Sequence, residues 1–329
     1  MRAPGFWNTA PDRPALRARL LAPLGALYAA ATARRVSAAP DYVAPVPVIC
    51  IGNIGVGGSG KTPTAMALAQ ILGDGVHFVS RGYGGRLTAP TRVDERTHTA
   101  EDVGDEPLLL AAFAPAWIAA DRARGVRCAV EAGARIIIMD DGFQNPSVAK
   151  SLSIVVADAR YGFGNGRVLP AGPLREPVAR GMARADLLLT IGDEAAQAGF
   201  DETWGHIVTT PHLRGELRPL ETGMVWTGLR ALAFAGIGMP EKFFRTLRAM
   251  GVDLVRAEAL EDHQPLTDAL MARLELEAKA LGAQLVTTEK DAVRLPASFR
   301  QKVLTVPVRL AIDDQTALTQ ALDRLTPPS

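Results

Sequence analysis

The sequence predicts an α/β fold, with a mainly parallel sheet flanked by helices and a second, smaller α/β domain after it. From Val46 onward, short apolar runs alternate with longer helical stretches, which is typical of parallel sheets whose strands are buried on both faces. The composition then changes near residues 206–220, where Thr, His, Pro and Arg dominate and helical periodicity ends. We therefore expect two domains that are joined at this segment.

Apolar runs and helical windows give the candidate elements in order. The first domain has predicted strands at 47–51, 76–80, 136–139, 152–157 and 186–190, and predicted helices at 63–72, 106–112 and 119–132. The second has strands at 231–234 and 284–288 and helices at 241–250 and 267–281. The chain is thus divided into an N-terminal helical region (1–35), a first domain (36–205), a linker (206–230) and a second domain (231–329).

Composition limits the possible partners. With 329 residues, 48% of them hydrophobic, the chain is long enough to fill two cores. Lys and Arg number 36 and Asp and Glu 35, so the net charge of +1 provides no field that would attract nucleic acid, and we expect no nucleic acid partner. Cys50 and Cys128 lie in apolar runs without a second ligand at metal spacing, which indicates reduced core residues.

The N-terminal 35 residues are basic and partly apolar. They contain six arginines against Asp12, a net charge of +5. The apolar run at 20–28 is shorter than the roughly 20 residues that span a bilayer, and Pro23 and Gly25 interrupt it. The long charged start does not fit a signal peptide. Two interpretations remain: a helix packed on the domain, or an amphipathic helix on an anionic membrane surface. In the second, the residues facing the acyl chains are Leu16, Leu20, Leu24, Leu27 and Tyr28.

Residues 55–62 match the spacing G-x-x-x-x-G-K-[ST], between a predicted strand and a predicted helix. Glycines let backbone N–H groups face phosphates, Lys61 reaches the β and γ oxygens, and the Thr62 hydroxyl binds magnesium. The helix N-terminus adds partial positive charge at the same point. The sequence therefore predicts a P-loop NTPase-like domain whose nucleotide-binding residues are Gly55, Val56, Gly57, Gly58, Ser59, Gly60, Lys61 and Thr62.

A P-loop also needs an acid at the end of a neighbouring strand, to help hold the metal. The apolar run 136–139 ends in Asp140 and Asp141, and a glycine follows. We expect one of these two carboxylates to face Mg²⁺ together with Thr62. The sequence does not decide which of the two it is.

Several nucleotide-binding classes do not fit. The segment 288–291 has the wrong spacing for the Asn-Lys-x-Asp motif that reads guanine. Val56 stands where dimerising partition ATPases carry a lysine. The glycines at 236–240 lack a lysine and a third spaced glycine, which favours a tight strand-to-helix turn. We therefore expect an ATP-dependent phosphotransferase.

Motifs along most of the chain resemble the tetraacyldisaccharide 4′-kinase family of lipid A synthesis. The matching segments are IGN at 51–53, GGSGKTP at 57–63, SRGYG at 80–84, VGDEP at 103–107, DDGFQ at 140–144, GPLREP at 172–177, DH at 262–263 and TTEKDA at 287–292. The resemblance implies two α/β domains joined by a short strand linker, with the active site in the cleft between them. This chain departs from the family pattern at Asn145 and Gln264, where the family usually or often has histidines. A catalytic role of histidine at these motifs therefore rests on His263.

The resemblance also implies an activity and a location. The expected reaction moves the γ-phosphate of ATP onto the 4′-hydroxyl of a tetraacylated glucosamine disaccharide 1-phosphate, giving lipid IVA and ADP. The expected partners are this acylated lipid and the cytoplasmic face of the bacterial inner membrane, where the enzyme is peripheral. Because such a substrate stays in the bilayer, the resemblance favours the membrane-surface interpretation of the N-terminal helix.

Site roles follow from the same resemblance. Asp105 would accept the proton of the sugar hydroxyl, and His263 would pair with it from the second domain. Without the family, Asp105 would be interpreted as a helix N-cap. Arg175 would stabilise the moving phosphoryl group or hold the 1-phosphate, and Glu176 would assist the metal or the base; a surface ion pair is the alternative for both.

The remaining candidates concern the acceptor. Arg81 and Tyr83 are expected near the disaccharide, or else in a simple turn, and Arg122 is expected at a phosphate, or else on a solvated helix face. Gln144 is a further substrate-binding candidate. Residues 289–291 are expected in the cleft without an assigned step. Two other functions remain open: a nucleotide-gated binding module at the membrane, and a soluble small-molecule kinase.

Overall fold

The computed structural model describes residues 4–325, and its larger sheet has nine strands. They are β1 (Val48–Gly52), β2 (Val76–Ser80), β3 (Thr91–Arg92), β4 (Ala116–Ile118), β5 (Ile136–Asp140), β6 (Leu152–Asp158), β7 (Leu187–Ile191), β8 (His212–Pro219) and β13 (Val308–Ile312). The order is β13-β8-β7-β6-β1-β5-β2-β4-β3. Pairing is parallel throughout except at the two edges, where β3 and β13 run antiparallel to their neighbours. The central position of β1 places the loop after it in the middle of the sheet.

The smaller sheet is entirely parallel and has the order β10-β9-β11-β12. Its strands are β9 (Arg230–Ala235), β10 (Asp253–Ala259), β11 (Gln284–Thr288) and β12 (Val303–Val306). Together with the helices that follow its strands it forms what we call the small lobe; the larger sheet and its helices form the large lobe. The predicted fold class, a mainly parallel sheet flanked by helices with a smaller α/β unit, is confirmed.

Helices cover both faces of the large sheet and complete the small lobe. A short 3-10 helix (Gly5–Asn8) precedes α1 (Leu16–Leu20), α2 (Ala22–Val36), α3 (Lys61–Leu72), α4 (Ala100–Val103), α5 (Asp105–Ala111), α6 (Arg122–Glu131), α7 (Val178–Met182) and α8 (Glu194–Trp204). The later helices are α9 (Pro240–Ala249), α10 (Asp268–Ala280), α11 (Glu289–Ala292) and α12 (Thr316–Asp323).

The central strands of the large sheet have continuous apolar sequences because helices cover both faces of the sheet. In β1, Ile49 and Ile51 face the hydrophobic cluster that contains α3, whereas Val48 and Cys50 face the cluster that contains α6. All four side chains are buried. The five strands predicted for the first domain agree with the structure to within one residue at each end.

The structure differs from the predicted division of the chain in two places. The predicted linker contains β8, which is a strand of the large sheet. The C-terminal segment returns to the large lobe, because β13 pairs with β8 and Leu318 and Leu322 of α12 pack into the core that contains α3. β13 is the edge strand and β8 lies next to it. Both contain arginine and consist mostly of half-buried or exposed residues, so they lack the continuous apolar run that marks the central strands. The chain therefore passes between the lobes twice, after β8 and before β13.

Candidate active site

The phosphate loop connects β1 to α3 in the centre of the large sheet. Gly57 and Gly60 have φ angles of 116° and 95°, in the left-handed region that favours glycine. A Cβ on Gly60 would lie 2.5 Å from the side chain of Ile191, whereas a Cβ on Gly57 or Gly58 would meet nothing within 4 Å. The backbone conformation therefore favours glycine at Gly57 and Gly60, and Gly57 and Gly58 border open space in which phosphates fit.

Three hydrogen bonds connect this loop to neighbouring segments. The Asn53 side-chain amide donates to the Gly57 carbonyl at 3.4 Å and to Ser59 Oγ at 3.3 Å. The Val56 N–H donates to the Pro173 carbonyl at 2.8 Å. The loop is thus tied to the segment 172–177 that the sequence motifs placed in the site.

Lys61 and Thr62 begin α3 at the end of the loop. Lys61 Nζ lies 3.8 Å from Asp141 Oδ1, so the lysine and the second acid of the pair face the same space. Thr62 is buried in the first turn of the helix. These positions agree with the predicted arrangement of lysine, threonine and strand-end acid.

Asp140 and Asp141 differ in their surroundings. Asp140, at the end of β5, is 1% exposed, and its Oδ1 atom has no hydrogen-bond partner. Burial raises the pKa of Asp140 to about 7, and the charge of Glu106 adds to the effect. Burial would also raise the pKa of Asp141, but the positive charges of Lys61 and Arg175 outweigh it and hold that pKa below its usual value. The charges of Lys61 and Arg122 act on Asp140 as well but do not offset its burial, and its Oδ1 atom, unlike the carboxylate oxygens of Asp141, has no hydrogen-bond partner.

A divalent cation fits this position. A buried carboxylate oxygen without a partner, beside the threonine of a phosphate loop, matches the ligands that Mg²⁺ uses in P-loop proteins. Within residues 4–325 no group of three or more His, Cys, Asp or Glu side chains is arranged to hold a metal. Magnesium of this class does not need one, because nucleotide phosphates and waters supply most of its ligands.

Arg175 lies in the site, but Glu176 is turned away from it. Arg175 donates to Asp141 Oδ1 at 2.9 Å and to Gln144 Oε1 at 3.2 Å. Glu176 is buried, with both carboxylate oxygens 2.6 Å from Arg184 Nη2 and one 2.9 Å from Gln144 Nε2. The expectation that Glu176 assists the metal or the base therefore does not match its contacts. Its ion pair with Arg184 is half-buried, since the side chains of Arg184 and Glu176 are 30% and 4% exposed, and is therefore not the surface pair that was the alternative.

Gln144 connects these groups to the phosphate loop. Its amide nitrogen also donates to the Asn53 carbonyl at 2.8 Å, directly after β1. Gln144 was expected to bind substrate; in the structure its side chain joins Arg175, Glu176 and the backbone below the loop. The ion pair of Glu176 and Arg184 is thus one support of the loop.

The predicted Asp105 and His263 are in contact across the lobes. Asp105 begins α5 in the large lobe, and His263 follows β10 in the small lobe. His263 Nδ1 lies 3.0 Å from Asp105 Oδ2, and the Asp105 side chain is almost completely buried. Asp105 is not the helix N-cap that was the alternative interpretation, because Gly104 holds that position and Asp105 is the first residue of α5. Its Oδ1 accepts from the Glu106 N–H at 2.9 Å.

Three cationic groups of the small lobe surround the Asp105 carboxylate. Besides His263, Arg294 Nε and Lys290 Nζ lie 3.8 Å and 4.0 Å from Oδ2. Burial alone would raise the pKa of Asp105, but the hydrogen bond to His263 and the charges of Lys290 and Arg294 outweigh it and lower that pKa. The hydrogen bond to Asp105 in turn raises the pKa of His263. Asp105 is therefore held in its ionised form.

Glu106 links this pair electrostatically to Asp140 at the end of β5. Its Oε1 accepts from Lys290 at 3.1 Å, and its charge contributes to the raised pKa of Asp140. Residues 289–291, which were expected in the cleft, separate in the structure: Lys290 reaches the cleft, Glu289 pairs with Arg309, and Asp291 is fully buried in the small lobe.

The candidates near the acceptor surround the same cleft. Arg122 is 4% exposed and not on a solvated helix face; burial and the nearby Arg81 charge lower its pKa to about 10. The Tyr83 ring is 72% exposed, with its centroid 6.0 Å from that of His263. The structure thus brings Arg81 near Arg122 and Tyr83 near the Asp105–His263 pair.

The two residues that replace family histidines have local contacts. Asn145 Oδ1 accepts from the N–H and the hydroxyl of Ser147, at 2.8 and 2.7 Å. Gln264 Oε1 accepts from the Glu261 N–H at 3.0 Å and closes the turn around His263. In this chain both side chains stabilise turns beside the site.

Sequence reasoning missed three charged residues of the site. Glu106 lies inside a quoted motif, so the motif contained a signal, although no role was assigned to it; Lys290 was expected in the cleft, without a role. Arg184 and Arg294 lie outside the motifs. Only the pairing of lobes shows that Arg294 is close to Asp105, 189 positions earlier in the chain.

Comparison with known proteins finds relatives along nearly the whole chain. The family model for LpxK, tetraacyldisaccharide-1-P 4′-kinase, matches residues 17–326. The tetraacyldisaccharide 4′-kinase of Dinoroseobacter shibae is 66% identical over 99% of this chain and 98% of its own length. The protein of the same name from a Jannaschia species is 60% identical over 99% of both chains.

A solved structure extends the comparison to the fold. A crystal structure described as the "apo" form of LpxK from Aquifex aeolicus in complex with ATP has a TM-score of 0.76 and 26% identity. The match covers 94% of this chain and 99% of that one. The resemblance that the sequence motifs indicated is confirmed. The chain belongs to the tetraacyldisaccharide-1-P 4′-kinase family.

Proposed function

We propose that the protein transfers the γ-phosphate of ATP to the 4′-hydroxyl of a tetraacylated glucosamine disaccharide 1-phosphate, giving lipid IVA and ADP. The observation that carries the proposal is the 3.0 Å contact between Asp105 and His263 across the two lobes, beside a phosphate loop. A nucleotide switch needs no proton acceptor for an alcohol, whereas a kinase that phosphorylates a sugar hydroxyl does.

The phosphate loop binds and orients ATP. The open space at Gly57 and Gly58 admits phosphates close to the backbone, and Lys61 at the start of α3 reaches their oxygens. Arg175, beside Asp141, provides a second positive charge on the same side of the cleft. Positioning and charge neutralisation of this kind account for most of the catalysis in phosphoryl transfer.

Magnesium would be held by Thr62 and Asp140, with Asp141 in support. Asp140 is the better candidate because its buried oxygen has no partner, whereas Asp141 already contacts Lys61 and Arg175. A bound ion would neutralise the negative charge that develops on the phosphate oxygens. A cation beside Asp140 would also keep its carboxylate ionised at neutral pH.

Asp105 accepts the proton of the attacking hydroxyl, and His263 orients Asp105 and stabilises its charge. Asp105 is ionised at neutral pH because its pKa is lowered, which is the form that a general base requires. Both residues act only when the small lobe lies against the large one, so we propose that closure of the cleft assembles the site. Tyr83 and His263 form the exposed edge where the sugar approaches.

Binding of the acceptor involves Arg81, Tyr83, Arg122 and Arg175. Arg81 and Tyr83 are exposed and carried by a glycine-flanked turn. Arg122 is buried, and its Nε has no hydrogen-bond partner, so one donor of a planar guanidinium remains free for an anionic group. Gln144 contributes indirectly by holding Arg175.

The N-terminal helices contact the membrane at its cytoplasmic face. Leu16, Leu20 and Leu27 are 71%, 70% and 69% exposed, and Leu24 and Tyr28 are exposed beside them. The opposite side of the helices is packed on the large lobe through Ala18, Gly25 and Thr32. None of the helices in residues 4–325 has the length and apolarity needed to cross a membrane. An exposed leucine surface with arginines around it supports peripheral contact with anionic lipid.

The test is transfer of label from γ-³²P-ATP. The acceptors are detergent-dispersed tetraacylated disaccharide 1-phosphate, the deacylated disaccharide 1-phosphate and water alone. We expect label in the acylated lipid and a requirement of this transfer for Mg²⁺. The Lys61→Ala variant should transfer no label. Label in the deacylated sugar at equal rate would favour a soluble small-molecule kinase. Binding of ATP without transfer to any of the three would favour a nucleotide-gated binding module.

A further inference from the structure

An ion pair in the small lobe has no role in the reaction described so far. Arg294 Nη2 is bound to Asp291 Oδ1. Asp291 is fully buried and the Arg294 side chain is 8% exposed, so the pair is almost completely removed from water. A buried pair of this kind is weak support for stability by itself, which makes its other contacts informative.

Those contacts frame the turn that carries His263. Arg294 donates to the Gln264 carbonyl at 2.8 Å and to the Gly236 carbonyl at 3.1 Å. Asp291 accepts from the Gly236 N–H at 3.1 Å. The His263 N–H donates to the same Gly236 carbonyl, also at 3.1 Å. Two backbone neighbours of His263, Gln264 in the sequence and Gly236 through a hydrogen bond, are therefore both bound to one ion pair.

His263 needs this support because its backbone is strained. Its φ angle is 58°, in the left-handed region that a residue with a Cβ seldom adopts. Such conformations persist only where surrounding contacts over-determine them. The packing is tight as well, since a Cβ on Gly236 would lie 2.9 Å from Arg294 Nη2. The contacts of Asp291 and Arg294 hold His263 in the conformation that meets Asp105.

Arg294 also acts on Asp105 through its charge. Its Nε atom is buried without a hydrogen-bond partner and lies 3.8 Å from Asp105 Oδ2. The other charged groups around this carboxylate are His263, Lys290 and Glu106. Among these groups, His263 is charged only when it is protonated and Lys290 is shared with Glu106, whereas an arginine guanidinium keeps its charge in proteins.

We propose that Arg294, held by Asp291, is a positioning residue of the phosphotransfer site: it fixes His263 against Asp105 and keeps Asp105 in its ionised, proton-accepting form. The inference rests on the proposed function, because Asp105 needs to accept a proton only if an alcohol is phosphorylated. It assigns a role to the end of the TTEKDA segment and to the arginine that follows it.

The positioning part is tested without catalysis, by amide hydrogen exchange. Arg294→Gln is expected to speed exchange at Gly236 and His263 by tenfold or more, while peptides of α10 keep their rates. Arg273→Gln, which removes an exposed arginine of the same lobe, is the matched control and should change neither. If Arg294→Gln unfolds the lobe, Arg294→Lys decides, since it keeps the charge and loses the planar fork. Unchanged exchange at Gly236 and His263 in a folded variant would overturn the inference.

The charge part is tested by the pH dependence of kcat at saturating ATP. The active form has Asp105 ionised, so loss of the Arg294 charge raises the apparent pKa of the Asp105–His263 pair and moves the acid limb to higher pH, by about one unit. Arg294→Lys should lower kcat but leave the limb near its wild-type position. A lower kcat of Arg294→Gln with an unmoved acid limb would mean that the arginine is merely structural.

A wild-type protein that transfers no phosphate would contradict the proposed function, and hydrogen exchange would still decide the positioning role.

Discussion

Replacing Asp105 by asparagine should remove the proton acceptor and leave the binding of ATP nearly unchanged. Asparagine keeps the shape of the side chain and its contact with the Glu106 N–H. The charged partners of Asp105, His263, Lys290 and Arg294, all lie in the small lobe and not in the phosphate loop. The loss should therefore appear in kcat and not in the KM for ATP.

The expected size follows from the role. Loss of a general base costs about two to four powers of ten, so kcat should fall by at least about 100-fold, or about 2.7 kcal/mol in activation free energy. The substitution also removes the carboxylate that contacts His263 and takes away negative charge near Lys290 and Arg294, which keep Glu106 and Asp291 as partners. We expect the variant to unfold more easily by about 1–3 kcal/mol, which thermal unfolding would measure separately from kcat.

A double-mutant cycle with His263 completes this prediction. His263→Asn is the suitable partner because asparagine tolerates the left-handed backbone at this position better than alanine. Its kcat should fall less than that of Asp105→Asn, and the double variant should be scarcely slower than Asp105→Asn alone, since His263 acts through the carboxylate. Multiplicative losses would show that the two act independently. A large rise in the KM for ATP at unchanged kcat would refute the base assignment.

Three further outcomes are expected from other parts of the molecule. Lys61→Ala should lower the rate of transfer by about 10²–10³-fold or more, because it removes a direct contact to developing charge; near wild-type turnover would exclude the phosphate-loop assignment. Replacing the exposed Leu16 and Leu20 by serine should weaken sedimentation with anionic vesicles by about 30-fold or more, from about 1–2 kcal/mol of lost burial per leucine, while ATP binding stays unchanged. Equal sedimentation would show that these side chains do not contact lipid. Glu176→Gln should lower the free energy of unfolding by about 2–3 kcal/mol, since it leaves Arg184 without its partner, and should reduce kcat far less than Asp105→Asn. A kcat loss as large as that of Asp105→Asn would return Glu176 to the chemistry.

The central strands and the phosphate loop could be predicted because each depends on local sequence. Buried parallel strands such as β1 and β5 appear as continuous apolar runs, and the loop glycines have a fixed spacing. The strand β8 and the edge strand β13 were not assigned to the large sheet, for the opposite reason. Their pairing joins residues 212–219 to 308–312, and no local pattern marks such a contact.

The site residues likewise fall into those that local motifs predicted and those that they did not. The motif positions of Asp105 and His263 pointed to a pair, and the structure places them in contact. Glu176 was misplaced because a carboxylate in a proline-bounded loop looks the same in sequence whether it faces a metal or an arginine. Arg184, which determines its direction, lies eight residues later and outside the motif. The position of Arg294 depends on the closure of two lobes, which sequence alone does not show.

The most direct test of the central claim is the position of the new phosphate in the product. The wild-type protein is incubated with ATP, Mg²⁺ and tetraacylated disaccharide 1-phosphate, and the purified lipid is analysed by ³¹P and ¹H NMR and by mass spectrometry. We expect a single added phosphate as a monoester on the 4′-hydroxyl, with the 1-phosphate unchanged and one ADP formed for each lipid. A phosphate on another hydroxyl, a diphosphate at position 1, or ADP formed without a modified lipid would contradict the claim that Asp105 and His263 activate the 4′-hydroxyl.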